Sequence, residues 1–170
     1  LYNIFVRGFY MKLSTGWEQA IYVLLILNQL PKQSVITSTA LSKRLKFSDS
    51  YLKKIVKALV KENLVHSTTG KNGGFTFRKH LKDITFYDVF LAIEGRGCIF
   101  SSQHLLSHFL GEKEGQKAQQ CNISLALNHI EDTLITTLSH ISLEDIYQDI
   151  NKHYNLKDIT QWITSNSKSF

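Results

Sequence analysis

A single proline, Pro31, and nine glycines are the only strong breakers in 170 residues. Their scarcity favours long helices over a β-sandwich, which needs a turn roughly every ten residues. The chain is 43% hydrophobic and 20% charged, the balance of a globular protein. Two cysteines, Cys98 and Cys121, are too few and too far apart for a disulfide scaffold or a four-thiolate zinc site. No apolar run reaches the roughly 18 residues of a membrane span. The longest, Ala20–Leu27, reads as a helix buried on all sides.

Helix signals follow in order. Ser14 or Thr15 caps a first helix to about Leu30, with Trp17, Ala20, Ile21, Leu24 and Leu27 at helical spacing and Pro31 beyond its end. Thr37 caps a short second helix through Leu45. Ser48 opens a third, Asp49 to about Asn63. Leu64–Thr69 and Phe75–Arg78 are β-prone and flank a glycine-rich tip, so they read as a hairpin. Thr85 caps a fourth helix, Phe86–Glu94, which Gly95 ends. A short helix at about 102–110 and a polar linker over 111–120 come next. A long helix then spans Asn122–Ser139, and Ser142 opens a last one to about His153. The final SNSKSF reads as a frayed end.

Charge is divided unevenly along this plan. Residues 1–83 hold 14 Lys/Arg against 4 Asp/Glu, a net of +10, whereas residues 84–170 hold 6 against 10, a net of −4. In the third helix Leu52, Ile55, Val56, Leu59 and Val60 form one stripe. Ser50, Lys53, Lys54, Lys57 and Lys61 form the opposite one. Four ammonium groups on one face repel each other unless an anion such as a phosphate lies opposite. Three helices followed by a two-stranded ribbon is the order of a winged helix-turn-helix. The expected fold is therefore mostly α with a small β-hairpin wing: a winged helix-turn-helix head and a long helix whose apolar residues recur at coiled-coil-like spacing. The expected division is an N-terminal extension (1–10) before a natural start at Met11, the head (11–83), a helical dimerisation and sensing region (84–155) and a C-terminal tail (156–170).

MKLSTGWEQAIYVLLIL, TSTALSKRLKFSDSYLKKIVKALVKENLV, TTGKNGGFTFRK and DITFYDVFLAIEG together resemble the Rrf-two-type family of bacterial winged helix-turn-helix transcription regulators. The likeness is close over 11–95 and looser through the long helix. It implies a homodimer whose long helix pairs with its twin, here through Ile123, Leu127, Ile130, Leu134, Leu138 and Ile141. It also implies a repressor on a pseudo-palindromic operator; with no targeting signal and no paired cysteines in the sequence, the cytoplasm is the expected location. Cluster-binding members carry three closely spaced cysteines after the fourth helix. This chain has Cys98 there, and Cys121 lies 23 residues on. It therefore resembles the cluster-free branch, the cysteine-metabolism repressor more than the iron–sulfur-cluster regulator. No iron–sulfur cluster or other cofactor is expected. Several members have Arg before the first wing glycine, where this chain has Thr69, with Lys71 the nearest substitute.

The candidate DNA contacts follow from what such a head needs. Ser48, Ser50 and Tyr51 stand at the entry of the third helix, to approach bases or flanking phosphates. Lys53, Lys54 and Lys57 are placed to hold the backbone. Lys71 and Asn72 at the wing tip are placed to reach the minor groove, and Lys12 and Ser38 to meet phosphates at helix starts. Cys98 is a candidate redox thiol. His104 and His108 have metal-ligand spacing on one helix, but an ordinary half-buried pair is the simpler reading, and no metal site is assigned. No catalytic constellation is visible, so no enzyme is expected. The other readings are a winged-helix module that binds a protein in place of DNA, and a thiol- or metal-responsive sensor. Effector, operator and regulated genes are not legible.

Overall fold

A computed structural model describes residues 14–70, 72–99, 101–103, 105–115 and 121–169. The chain runs α1 (Thr15–Asn28), β1 (Ser34–Ile36), α2 (Ser38–Leu45), α3 (Asp49–Lys61), β2 (Val65–Thr68), β3 (Gly74–Phe77), a 3-10 turn (Leu81–Asp83), α4 (Phe86–Glu94), α5 (Leu105–Gly115), α6 (Asn122–Ser139), α7 (Leu143–His153), α8 (Lys157–Asn166) and β4 (Ser167–Ser169). The expected extension 1–10, with Met11 and Lys12, lies outside the described residues.

α1 is the axis. Val23, Leu24, Leu25, Ile26 and Leu27 are all buried, so in its second half Tyr22 is the exposed large side chain. α3, α4, β3 and α7 pack around it. Capping chemistry sets the starts of its neighbours. The Thr37 hydroxyl accepts from the Ala40 N–H and the Ser48 hydroxyl from the Tyr51 N–H. Thr85 with Asp88, and Ser142 with Asp145, form reciprocal capping boxes at the starts of α4 and α7. Those two starts are laced together. Phe86 N–H donates to the Ile141 carbonyl and Leu143 N–H to the Ile84 carbonyl, each at 2.9 Å.

The wing hairpin is part of a larger antiparallel sheet, ordered β2-β3-β1-β4. Two strands were not foreseen. β1 has three residues, and β4 lies in the segment expected to fray. The expected tail, 156–170, is instead α8 and β4 as far as Ser169. Ile163 is buried in the main core, and Ser34, Val35 and Ile36 pair with Ser169, Lys168 and Ser167. Burying Ile163, packing Trp162 part-buried against the core and pairing the edge of β1 stabilise what composition alone marks as loose. α5 also departs from expectation. It reaches Gly115, with a non-helical break at Gly111 (φ 77°, ψ 174°), where a linker was expected.

The packing of Ile163 gives a direct check. Ile163→Ala should lower unfolding stability by about 2–4 kcal/mol in a denaturant titration, as for a truncated core aliphatic. A loss under about 0.5 kcal/mol, the range of surface substitutions, would mean that the C-terminal segment does not pack on the core.

Candidate nucleic-acid interface

α3 presents two unlike faces. Leu52, Ile55, Val56 and Leu59 are buried, which fixes the rotation of the helix on the head. Lys53, Lys54, Lys57 and Lys61 are exposed. They are not equivalent. The Lys53 ammonium lies 2.7 Å from the Asp49 carboxylate one turn back. That bond holds the Asp49 carboxyl below the usual carboxylate range; desolvation opposes it, and the nearby Ser38 hydroxyl adds to it. Lys53 is thus already partnered. Among the described residues no ion pair engages Lys54, Lys57 or Lys61; the Lys61 charge acts on the neighbouring Glu62 carboxylate, whereas Lys54 and Lys57 have no carboxylate partner there.

The helix entry is more structural than expected. Ser48 caps α3 through its hydroxyl, which lies 3.4 Å from that of Ser50. Both serines remain exposed. Tyr51 is half-buried against the core, and a methyl group on Gly16 of α1 would lie 3.2 Å from its hydroxyl. The ring therefore runs toward the start of α1, and Tyr51 is a packing residue first. Ser38, at the start of α2, is also half-buried, beside the Asp49 carboxylate. Like charge from Asp49 works against a phosphate there. Lys46, missed in the sequence, ends α2 in the left-handed region (φ 57°) and is exposed in the turn leading to α3.

The wing is held at its base by the Thr68 hydroxyl, which accepts from the Gly74 N–H at 3.2 Å. Its glycines have separate reasons. Gly70 is left-handed (φ 102°), and a Cβ on Gly73 would stand 2.4 Å from the Thr68 carbonyl oxygen. Asn72 is exposed at the tip. Lys71 lies outside the described residues.

The long helix divides in two. Ile123 and Ile130 are exposed at 70% and 62%, and Leu127 and Leu134 are half-buried. Leu138 is buried within this chain, where α6 packs on α4. It is therefore a core residue and not free to face a twin. Ile141, half-buried, follows where its carbonyl takes the α4 N–H. α5 adds exposed Leu105 and Phe109.

Cys98 is exposed, in the loop after α4. That loop is anchored on two sides. Arg96 Nη2 donates to Glu62 Oε2 at 2.5 Å, and Ile99 N–H donates to Glu131 Oε1 at 2.9 Å. Arg96 holds the Glu62 carboxyl below its ordinary range. Cys121 sits at the N-cap of α6. There the Ser124 hydroxyl, then the backbone N–H groups of Ser124 and Ile123, draw its thiol below the usual range. The surroundings of Cys121 favour its thiolate, a point its N-cap position in the sequence could have signalled. His104, the partner proposed for His108, lies outside the described residues. Among the described residues no three His, Cys, Asp or Glu side chains group to hold a metal ion. None of their helices is long and apolar enough to cross a membrane.

Replacing both Lys54 and Lys57 with Ala should weaken operator and random DNA by a similar factor, about 10- to 100-fold by fluorescence anisotropy. Lys53→Ala should cost less, since Asp49 already occupies its ammonium. A double variant with undiminished affinity would place the DNA on another face.

Comparison with known proteins returns one family model, Rrf2, described as iron-dependent transcriptional regulator, over residues 13–149. A Lactococcus lactis protein named as an HTH-type transcriptional regulator, YffB, is 57% identical over 90% of this chain and 97% of its own. A Bacillus subtilis protein named in the same way, YwgB, is 40% identical over 93% and 98%. In fold the chain is similar to CymR, the global cysteine regulator of B. subtilis (TM-score 0.57, 22% identity, 81% of this chain and 97% of that one). It is also similar to T. potens IscR (TM-score 0.59, 20% identity, 86% and 93%).

Proposed function

Because the chain belongs to the Rrf2 family of transcription regulators, we propose that it is a repressor that reads a pseudo-palindromic operator in the cytoplasm as a homodimer. The observation that carries this reading is the outer face of α3. Lys54 and Lys57 stand there without a carboxylate partner among the described residues, with Lys61 exposed one turn on, on a helix whose other face is locked into the core. Such cations hold phosphates, while Ser48 and Ser50 at the helix entry and Asn72 on the wing are exposed polar groups placed to approach bases. The role is binding, not catalysis.

Two heads are needed for a pseudo-palindrome. The exposed Ile123 and Ile130 of α6, with Leu105 and Phe109 of α5, supply the apolar surface that a second copy would cover. Leu127 and Leu134 flank it. Leu138 is left out of that surface.

The regulator is further proposed to work without an iron–sulfur cluster. A cluster requires several thiolates, and the whole sequence holds two cysteines. Protein purified without oxygen should then be colourless, free of iron and still able to bind its operator. Visible absorbance that rises with bound iron, and DNA binding lost with it, would overturn this.

The DNA reading is tested by titrating a fragment of the protein's own promoter at several salt concentrations. A dimer engaging about six phosphates should give a slope of log affinity against log salt near −5. A flat response, or no shift alongside capture of a partner protein, would favour the interaction module instead.

A further inference from the structure

A hollow of about 170 Å³ lies where the head meets the C-terminal helices. Its walls come from α1, α2, α7 and α8. Ile26 and Leu45 line it from the head, and Ile150 and Ile159 from the body. One full charge faces it, the Arg44 guanidinium. Arg44 is fixed in place twice. Its Nη2 donates to Asp158 Oδ2 at 2.5 Å, and its Cζ lies 5.4 Å from the centre of the Trp162 ring.

That arrangement is not used up by the fold. A guanidinium carries five N–H donors in a rigid fork, and among the described residues Arg44 uses one hydrogen bond. Asp158 is 82% exposed, so its carboxylate stays hydrated and competes weakly for the cation. Arg44 is 32% exposed, which leaves its charge only partly solvated. A carboxylate arriving from the hollow would meet preorganised donors suited to charge-assisted bonds. The remaining lining is mostly Leu and Ile side chains with the rings of Tyr22 and Tyr147, and beside Arg44 it offers Gln29 and the two tyrosines as its polar side chains, so a mostly apolar body fits it best. Size sets the rest, since a dry apolar cavity of about 150 Å³ accommodates benzene.

We infer that this hollow between α1, α2, α7 and α8 is a binding site for a small carboxylic acid with a compact aromatic or branched aliphatic body, its carboxylate on Arg44. The inference does not depend on how DNA is read. α8, which supplies Ile159 and carries Asp158 and Trp162, lies beyond residue 149, where the family match ends.

The full chain is titrated calorimetrically, and its melting temperature followed, with benzoate and with 4-methylpentanoate. Benzyl alcohol supplies the body without the charge, and acetate the charge without the body. Both acids should bind with Kd of roughly 0.1–1 mM, as befits ligands of about nine heavy atoms, and should raise the melting temperature. Benzyl alcohol should bind about tenfold more weakly, and acetate not measurably. Arg44→Met should bring acid and alcohol to the same weak affinity. Ile159→Trp, which fills the hollow and keeps the guanidinium, should abolish both. Circular dichroism checks each variant, and if Arg44→Met does not fold, Ile159→Trp decides. The inference is overturned if neither acid binds at roughly 20 mM, if Arg44→Met binds acid as the natural chain does, or if Ile159→Trp leaves binding unchanged.

Discussion

Everything in this fold answers to the burial of α1. A helix with apolar residues all round its second half is stable only when covered on every side. α3, α4, β3 and α7 supply that cover. Each of them therefore turns its apolar stripe inward, and α3 has no freedom to roll. The lysine face of α3 is the consequence: with Leu52, Ile55, Val56 and Leu59 committed to the core, its cations are left in water. The rigid presentation that a DNA reader needs is thus a by-product of packing around one helix.

The ion pairs refine that picture. Asp49 takes Lys53, Asp158 takes Arg44 and Glu62 takes Arg96. Exposed pairs of this kind add little to stability, but they decide where cations point. Arg44 is drawn off toward α8, and Lys53 is folded back along its own helix. The basic excess of the first 83 residues is real, yet only part of it is available to a polyanion. Lys54 and Lys57 are the part of α3 that no carboxylate claims among the described residues.

Much of the head was legible because its signals are local. Thr37, Ser48, Thr85 and Ser142 each sit one residue before a helix and accept from the N–H three residues on, a pattern readable without any tertiary knowledge. The Asp49–Lys53 pair was also readable from its i, i+4 spacing. β1 and β4 were not. Three residues are too few to show alternation, and Ser167-Lys168-Ser169 has no apolar residue at all. Its pairing with β1 depends on α8 bringing it there. α8 did carry a signal, Ile159, Trp162 and Ile163 at helical spacing, but it has no side-chain cap to mark its start. Leu138 failed for a different reason. Periodicity shows that a stripe is apolar, not which part of it the chain's own α4 covers.

The site's least legible feature is how the loop after α4 is tied. Arg96 reaches Glu62, the residue that caps the C-terminus of α3, while three residues later Ile99 is held by Glu131 of α6. The sequence separations are 34 and 32 residues, so no local pattern announces either bond. Together they connect the end of the lysine-bearing helix to the long helix through four residues, Cys98 among them. A shift of α6 would pull on Ile99, and Gly95 and Gly97 on either side of Arg96 let the loop follow with little backbone resistance. Both ties are exposed hydrogen bonds that add little stability by themselves, so they couple the end of α3 to α6 without setting the orientation of α3, which its core contacts impose.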